Sequence, residues 1–210
     1  MEKEIVILAK SIKHNGYCVA GKYFSTKQWV RLVSNSGGGQ LSFEQVQYEN
    51  IYGRFEVKPL QRMKIGLVKE VSLINQPENW LIDNRLWVQN YRIEKSELYN
   101  YLDKPEDLWG DSHKVNYNSI ESRNILIEQS LYLVKAHNLN LYITEDQKRR
   151  AKFCYNNINY DLPVTDPEFD NIFNDKNIIN NAILCISLGE EFNGYCYKIV
   201  ATIFECEEEG

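Results

Sequence analysis

Apolar residues in this chain fall in short bursts divided by turn-forming residues, a pattern of successive β-strands. Residues 5–9 are a continuous apolar run of strand length, consistent with a strand buried on both faces. Asn15-Gly16 is a turn signal, so residues 5–9 and 17–24 are predicted to pair as a hairpin. Trp29–Val33 is a third strand, ending at Ser34 and a loop of Gly37, Gly38 and Gly39, and residues 63–73 are a fourth. Residues 76–115 change character. Asn79-Trp80-Leu81-Ile82-Asp83 leads into mixed polar and aromatic sequence, with a helix predicted over residues 96–102. There Ser96 is the N-cap, and Leu98, Tyr101 and Leu102 share one face. Pro105 discourages continuation.

Strands return in the second half. Residues 130–136 run into 139–143, where Leu139, Leu141 and Ile143 alternate with Asn140 and Tyr142. Residues 149–155 and 158–162 flank Asn156-Asn157, a two-residue turn whose asparagines tolerate positive φ. Asp166-Pro167 predicts a short helix to about residue 173, with Asp166 as N-cap and Pro167 in the first helical position. Residues 183–188 and 195–204 are the last strands, joined through Gly189 to Gly194. Strand after strand with one helix between two of them is the rhythm of a small five-stranded barrel. The OB-fold is one such barrel, and other small β-barrels fit the pattern equally well. The expected fold is mainly β, two barrels with short helices: residues 1–95, a helical connection at 96–116, and residues 117–210.

Composition narrows the function classes. Of 210 residues, 43% are hydrophobic and 25% charged, enough for a packed core. No apolar run approaches the ~18 residues that span a bilayer. The N-terminal burst is too short for a secretion signal and has acidic flanks, so a cytoplasmic location is expected, with no membrane partner. Cys18, Cys154, Cys185, Cys196 and Cys206 are widely spaced without a CxxC pair, and His14, His113 and His137 are far apart. That spacing predicts thiols in place of a zinc site, with no metal and no cofactor. The net charge of −5 conceals an asymmetry: residues 1–95 hold 14 Lys/Arg against 9 Asp/Glu, and residues 96–210 hold 10 against 20. The acidic total argues against strong non-specific DNA binding, while the basic first half leaves room for a local polyanion surface.

Five stretches in order carry a family resemblance. They are Ser11-x-Lys13…Gly16-x-Cys18-Val19-Ala20-Gly21, then Trp29-Val30-Arg31-Leu32-Val33-Ser34, then Glu78-Asn79-Trp80-Leu81-Ile82. Tyr160-Asp161-Leu162-Pro163-Val164-Thr165-Asp166-Pro167 and Ser187-Leu188-Gly189-Glu190…Gly194-Tyr195-Cys196-Tyr197-Lys198 complete the set. Together they resemble the bacterial dual OB-containing domain family from end to end. Leu32 departs from it, standing where the family pattern places proline. The resemblance implies two OB-folds in tandem, packed together, in a mobile-element or defence context. It also implies a nucleic-acid-binding or ligand-sensing module without enzymatic activity.

Three groups of residues are candidates for binding. Trp29 and Arg31, at i and i+2, stand on one side of a strand, pairing a π-face for a base with a cation for phosphate. Lys13 and Lys22 lie on neighbouring segments, and Asn79 and Trp80 belong to the family's middle motif. The structural alternative is a half-buried core Trp with a snorkelling Arg. In residues 148–155, Lys148, Arg150 and Lys152 alternate with Ala151, Phe153 and Tyr155, a basic face backed by an apolar one, which is also how a solvated strand looks. Tyr195 and Tyr197 share a strand face opposite Lys198, placed either to stack bases or to fill a barrel. No GxGxxG, Walker loop, HExxH or GxSxG is present. Asp161, Asp166, Glu168 and Asp170 serve better as a cap and as favourable charges near a helix N-terminus than as metal ligands.

A non-enzymatic binder of single-stranded or exposed nucleic acid is the leading expectation. The alternative is a sensor of a small nucleotide or other ligand, or an adaptor, whose state a protein effector reads.

Overall fold

The predicted N-terminal hairpin forms, and its first strand is long enough to serve two sides of a barrel. In this computed structural model, which describes residues 1–13 and 16–206, β1 (Glu2–Lys13) pairs with β2 (Gly16–Tyr23). The register slips between Ile7 and Ala9, a bulge that lets β1 bend. Gly21 is required at the bend, because a Cβ there would lie 2.1 Å from the Val6 carbonyl oxygen. Asn15 of the predicted turn lies outside the described residues.

β3 (Trp29–Val33) pairs antiparallel with β2, and Leu32 continues it regularly opposite Val19. Between the glycine loop and the predicted fourth strand, where the sequence suggests no element, lies a small hairpin, β4 (Gln47–Asn50) and β5 (Gly53–Glu56). β6 (Gln61–Glu70) pairs with β1 through residues 62–66. β7 (Asn79–Ile82) and β8 (Val88–Arg92) both pair with β6. They fall in the stretch 76–115 where the sequence changes character, and they are only four and five residues long. β7 also runs parallel to β3, Arg31 to Asn79 and Leu32 to Trp80, which closes the ring β1-β2-β3-β7-β6. This is OB-fold connectivity. Ile5, Ile7, Val19, Val30, Leu32, Met63, Ile65 and Leu67 fill its centre. The helix expected over 96–102 is a 3-10 helix, Lys95–Tyr101, since its buried residues Leu98 and Tyr101 repeat every three positions.

The chain divides into compact units Met1–Tyr101 and Leu102–Gly210, so residues 96–116 are shared between them. In the second unit, residues 102–113 form a strap. Its Leu108 is wholly buried in the core, and Trp109 stacks on Tyr132 at 4.4 Å. β9 (Lys114–Asn116) and α1 (Tyr117–Glu121) follow, Asn116 capping α1 through Ser119 N–H. β10 (Leu131–Ile143), β11 (Arg149–Tyr155) and β12 (Ile158–Pro163) form a meander. Its Asn156-Asn157 turn has φ of 47° and 64°, both positive as the dipeptide predicts.

α2 (Phe169–Asp175) begins later than expected. Asp166 is not its N-cap: the buried carboxylate accepts N–H bonds from Glu168 (2.9 Å) and from Ile203 (2.7 Å), tying the helix entry to the last strand. Burial pushes the Asp166 carboxyl up to about 6. β13 (Ile178–Phe192) and β14 (Tyr195–Glu205) complete the sheet. They meet at a two-residue Asn193-Gly194 turn in place of the longer loop expected from Gly189. The order is β12-β11-β10-β13-β14-β9, and a parallel bridge from Val164 to Val200 draws the curled sheet toward closure. With α2 between the third and fourth barrel strands, this is a second OB-fold. No helix among the described residues is long and apolar enough to cross a membrane.

Lys198 points inward from β14 and is fully buried. Its Nζ donates to the Gly110 carbonyl of the strap (2.7 Å) and lies 5.4 Å from the Tyr160 ring. Burial lowers the ammonium to about 8, against the opposing pull of Asp107 and Asp111. The folded state therefore sheds this proton before the unfolded state does, and its cost is relieved as pH rises from about 8 to the ordinary lysine value of 10.5. Urea melts of wild type and Lys198→Met from pH 7 to 10.5 are expected to show the difference moving toward wild type as pH rises; a pH-independent difference contradicts this placement.

Candidate functional site

OB-folds bind through the outer face of their second and third strands, and the two barrels differ sharply there. In the first, that face is β2 and β3. Lys22, Trp29 and Arg31 all point outward from the barrel core, and all three are buried. The Lys22 Nζ donates to the Tyr101 carbonyl (2.8 Å) and lies 5.0 Å from the Trp29 ring. Arg31 Nε meets Glu78 Oε1 at 3.4 Å. The expected open pair of ring and guanidinium is therefore absent: Trp29 offers no exposed ring face, and the Arg31 charge is met by a buried carboxylate. The burial exceeds even the half-buried alternative. Asn79 is wholly buried beside Gln76, and Trp80 is half-buried against the first core. Lys13 ends β1, and its side chain lies outside the described residues.

In the second barrel the corresponding face is open. Core residues Leu139 and Leu141, Ala151 and Phe153, and Tyr160 and Leu162 point inward from β10, β11 and β12. Alternation then sends polar residues outward in three cross-strand rows: His137–Cys154–Asn159, Asn140–Lys152–Asp161, and Tyr142–Arg150–Pro163. Arg150 clasps Asp161 through Nε (3.0 Å to Oδ1) and donates from its terminal nitrogen to the Asp161 carbonyl (2.8 Å). Tyr142 donates its hydroxyl to the same carboxylate (2.6 Å). Burial and that hydrogen bond push the Tyr142 hydroxyl above the usual tyrosine range. Lys152 is 3.9 Å from Asp161, and its Nζ lies 4.9 Å from the Tyr142 ring. Lys148 pairs with Asp146 (2.6 Å) at the edge. Beside these rows lies an open cleft of about 290 Å³, lined by Asn138, Lys152, Cys154, Asn159 and Asp161 among others.

Within the second unit the structure thus brings Lys148, Arg150 and Lys152 to one face and keeps Tyr155, Tyr195, Tyr197 and Lys198 off it. Tyr155 points into the core and donates its hydroxyl to the Pro105 carbonyl (2.7 Å), and Lys198 is inside the barrel. Tyr195 and Tyr197 stand on β14, half-exposed and 6.4 Å apart. Sequence reasoning missed Tyr142, Asn140, His137 and Asn159. The alternation in β10 and β12 was the signal for them, but only cross-strand register shows that they flank the basic strand. Among the described residues, no group of three or more His, Cys, Asp or Glu is placed to hold a metal, and the five cysteines form no disulfide.

A family model described as "Dual OB-containing domain" matches residues 3–203. No curated protein matches the sequence. Among solved structures, the crystal structure of the tetrameric p202 HIN2 aligns over 99% of this chain and 92% of that chain, at 8% identity and a TM-score of 0.34. No property is carried over from a likeness at that level.

Burial of Trp29 predicts the effect of removing it. Trp29→Ala is expected to cost about 3–5 kcal/mol of stability, seen as a lowered chemical-denaturation midpoint. A Trp29→Ala protein with wild-type stability contradicts the burial.

Proposed function

The chain belongs to the dual OB-containing domain family, and on that footing we propose that it binds nucleic acid with exposed bases, as a binding protein without a catalytic step. The second barrel supplies the surface, and the mobile-element or defence setting implied by the family resemblance supplies the context. One observation carries the reading: the outer face of β10–β12 sets the Tyr142 ring beside Arg150 and Lys152 in adjacent cross-strand rows. A ring face stacks on a base of any identity, and two or three cations track the phosphates beside it. Asn140 and Asn159 flank them with amide donors and acceptors suited to base edges. Exposed bases are required, because stacked and paired bases offer no face to Tyr142.

Asp161 restrains this surface by engaging Arg150, Lys152 and Tyr142 at once. Affinity is therefore expected to be modest, and salt dependence shallow. Fluorescence anisotropy with single-stranded oligonucleotides is expected to give a log–log salt slope of about −2, at ~0.7 per phosphate for Lys148, Arg150 and Lys152. Arg150→Ala and Lys152→Ala each weaken binding about five- to tenfold, an effect of ~1 kcal/mol or a little more. Asp161→Asn tightens it, because the cations lose their internal partner. Absence of binding at low salt sinks the proposal.

A small nucleotide is the second reading, favoured by the cleft of about 290 Å³ against Lys152 and Asn159. It nears the lower end of ligand-pocket volumes, ~300 Å³. In this version the occupied site is read by a protein effector. A thermal-shift screen separates the two: mononucleotides stabilise a sensor by mass action, whereas an oligonucleotide binder responds to length.

A further inference from the structure

Away from the β10–β12 face, the β13–β14 turn and the edge strand β9 bring four rings together. Tyr195 and Tyr197 lie 6.4 Å apart at an interplanar angle of 61°. Phe192 is 6.5 Å from Tyr197 at 56°, and His113 is 6.1 Å from it at 40°. Phe192 is 64% exposed, so the cluster faces solvent. Rings inclined to one another do not form a stack. Tyr195 and Tyr197 meet edge to face, a favoured aromatic pairing, and both rings lie within reach of one ammonium. That ammonium is Lys114, whose Nζ lies 3.5 Å from the Tyr195 ring centre and 5.7 Å from that of Tyr197.

Local charge points the same way. Segments 111–114 and 190–197 carry Asp111, Glu190 and Glu191, and Lys114 is their single Lys or Arg. Such a surface repels phosphate and attracts cations, in contrast to the basic strand β11. Lys114 itself sits on a three-residue strand at the sheet edge, paired with Tyr197 in register, so its flexible stem can leave without disturbing the barrel core.

We propose that Tyr195 and Tyr197, with Phe192 and His113 packed beside Tyr197, form a binding site for an alkylammonium group, which Lys114 occupies in the absence of ligand. The ligand chemistry is a quaternary or methylated ammonium, carried by a small molecule or by a methylated lysine side chain. It competes with Lys114, so the lysine sets a threshold that only a better-fitting, less hydrated cation exceeds. The site is separate from the β10–β12 face and stands whether or not that face binds nucleic acid.

The test is an NMR titration of the full chain with tetramethylammonium, following the ring resonances of Tyr195 and Tyr197, with sodium as the control cation. Millimolar binding is expected in wild type, tightening about two- to fivefold in Lys114→Gln as the internal competitor is removed. Tyr195→Leu abolishes the titration. A trimethyl-lysine peptide that binds more tightly than tetramethylammonium identifies a side-chain ligand; equal affinity identifies a free small molecule. No ring shift in either wild type or Lys114→Gln at about 100 mM overturns the proposal, as does unchanged binding in folded Tyr195→Leu. If Tyr195→Leu does not fold, the wild-type ring shifts and the Lys114→Gln comparison decide alone. A folded Tyr195→Leu that loses oligonucleotide affinity as Arg150→Ala does overturns it in favour of nucleic acid. Oligonucleotide binding unchanged in Tyr195→Leu is the expected result.

Discussion

Closure of a five-stranded sheet on itself is the constraint from which the rest of this structure follows. So few strands complete a ring only if they are strongly tilted and the first of them bends far enough to pair on both edges. In the first barrel β1 does this through its bulge at Ile7–Ala9, pairing with β6 by one end and β2 by the rest. In the second, β10 does it with a register shift between His137 and Asn140, where Asn138 has φ of 53°. The last contact is parallel in both, between the third and fifth barrel strands: β3 with β7, and the Val164–Val200 bridge beside β12 and β14. Gly21, Asn138 and the buried Asp166 are local consequences of that geometry.

Topology alone does not decide which outer face meets solvent. The same outer face is buried in the first barrel and solvated in the second. Lys22 and Arg31, which as isolated letters look like phosphate ligands, have their charges met by the Tyr101 carbonyl and the Glu78 carboxylate. A cation removed from water needs such partners, since an uncompensated buried charge is strongly destabilising. On β11 the cations stay at the surface, where Asp161 moderates them without removing them from solvent. The basic half holds Lys22 and Arg31 inside, and the acidic half carries Lys148, Arg150 and Lys152 on an open strand.

Much of the fold was legible. Strands with continuous or alternating β-branched and aromatic residues stood out, such as Trp29–Val33 and Arg149–Tyr155, because their burial on one or both faces imposes the pattern directly. The Asn156-Asn157 turn was legible for a stereochemical reason, its two positive φ angles. What escaped were the short helix α1 and the strands β4, β5, β7, β8 and β9, three to five residues long, whose strand character comes from partners more than from their own composition. Asp166 was misread as a cap because its position before Pro167 carries no trace of the Ile203 N–H that it meets from β14.

The sequence by itself determined the strand-rich class, the order of the longer strands, the duplicated barrel rhythm through its family motifs, and the alternation that divides each strand into two faces. These are local properties, written in the spacing of side chains along a pleated backbone. Only the tertiary structure decided which faces meet solvent. It hid Trp29 and Arg31, sent Lys198 and Tyr155 inward, and set Tyr142 and Asp161 beside Arg150 and Lys152. It also set Lys114 over Tyr195 and Tyr197, with Phe192 and His113 beside Tyr197. Exposure and juxtaposition are set by residues tens of positions away through strand register, and no window along the chain contains that information.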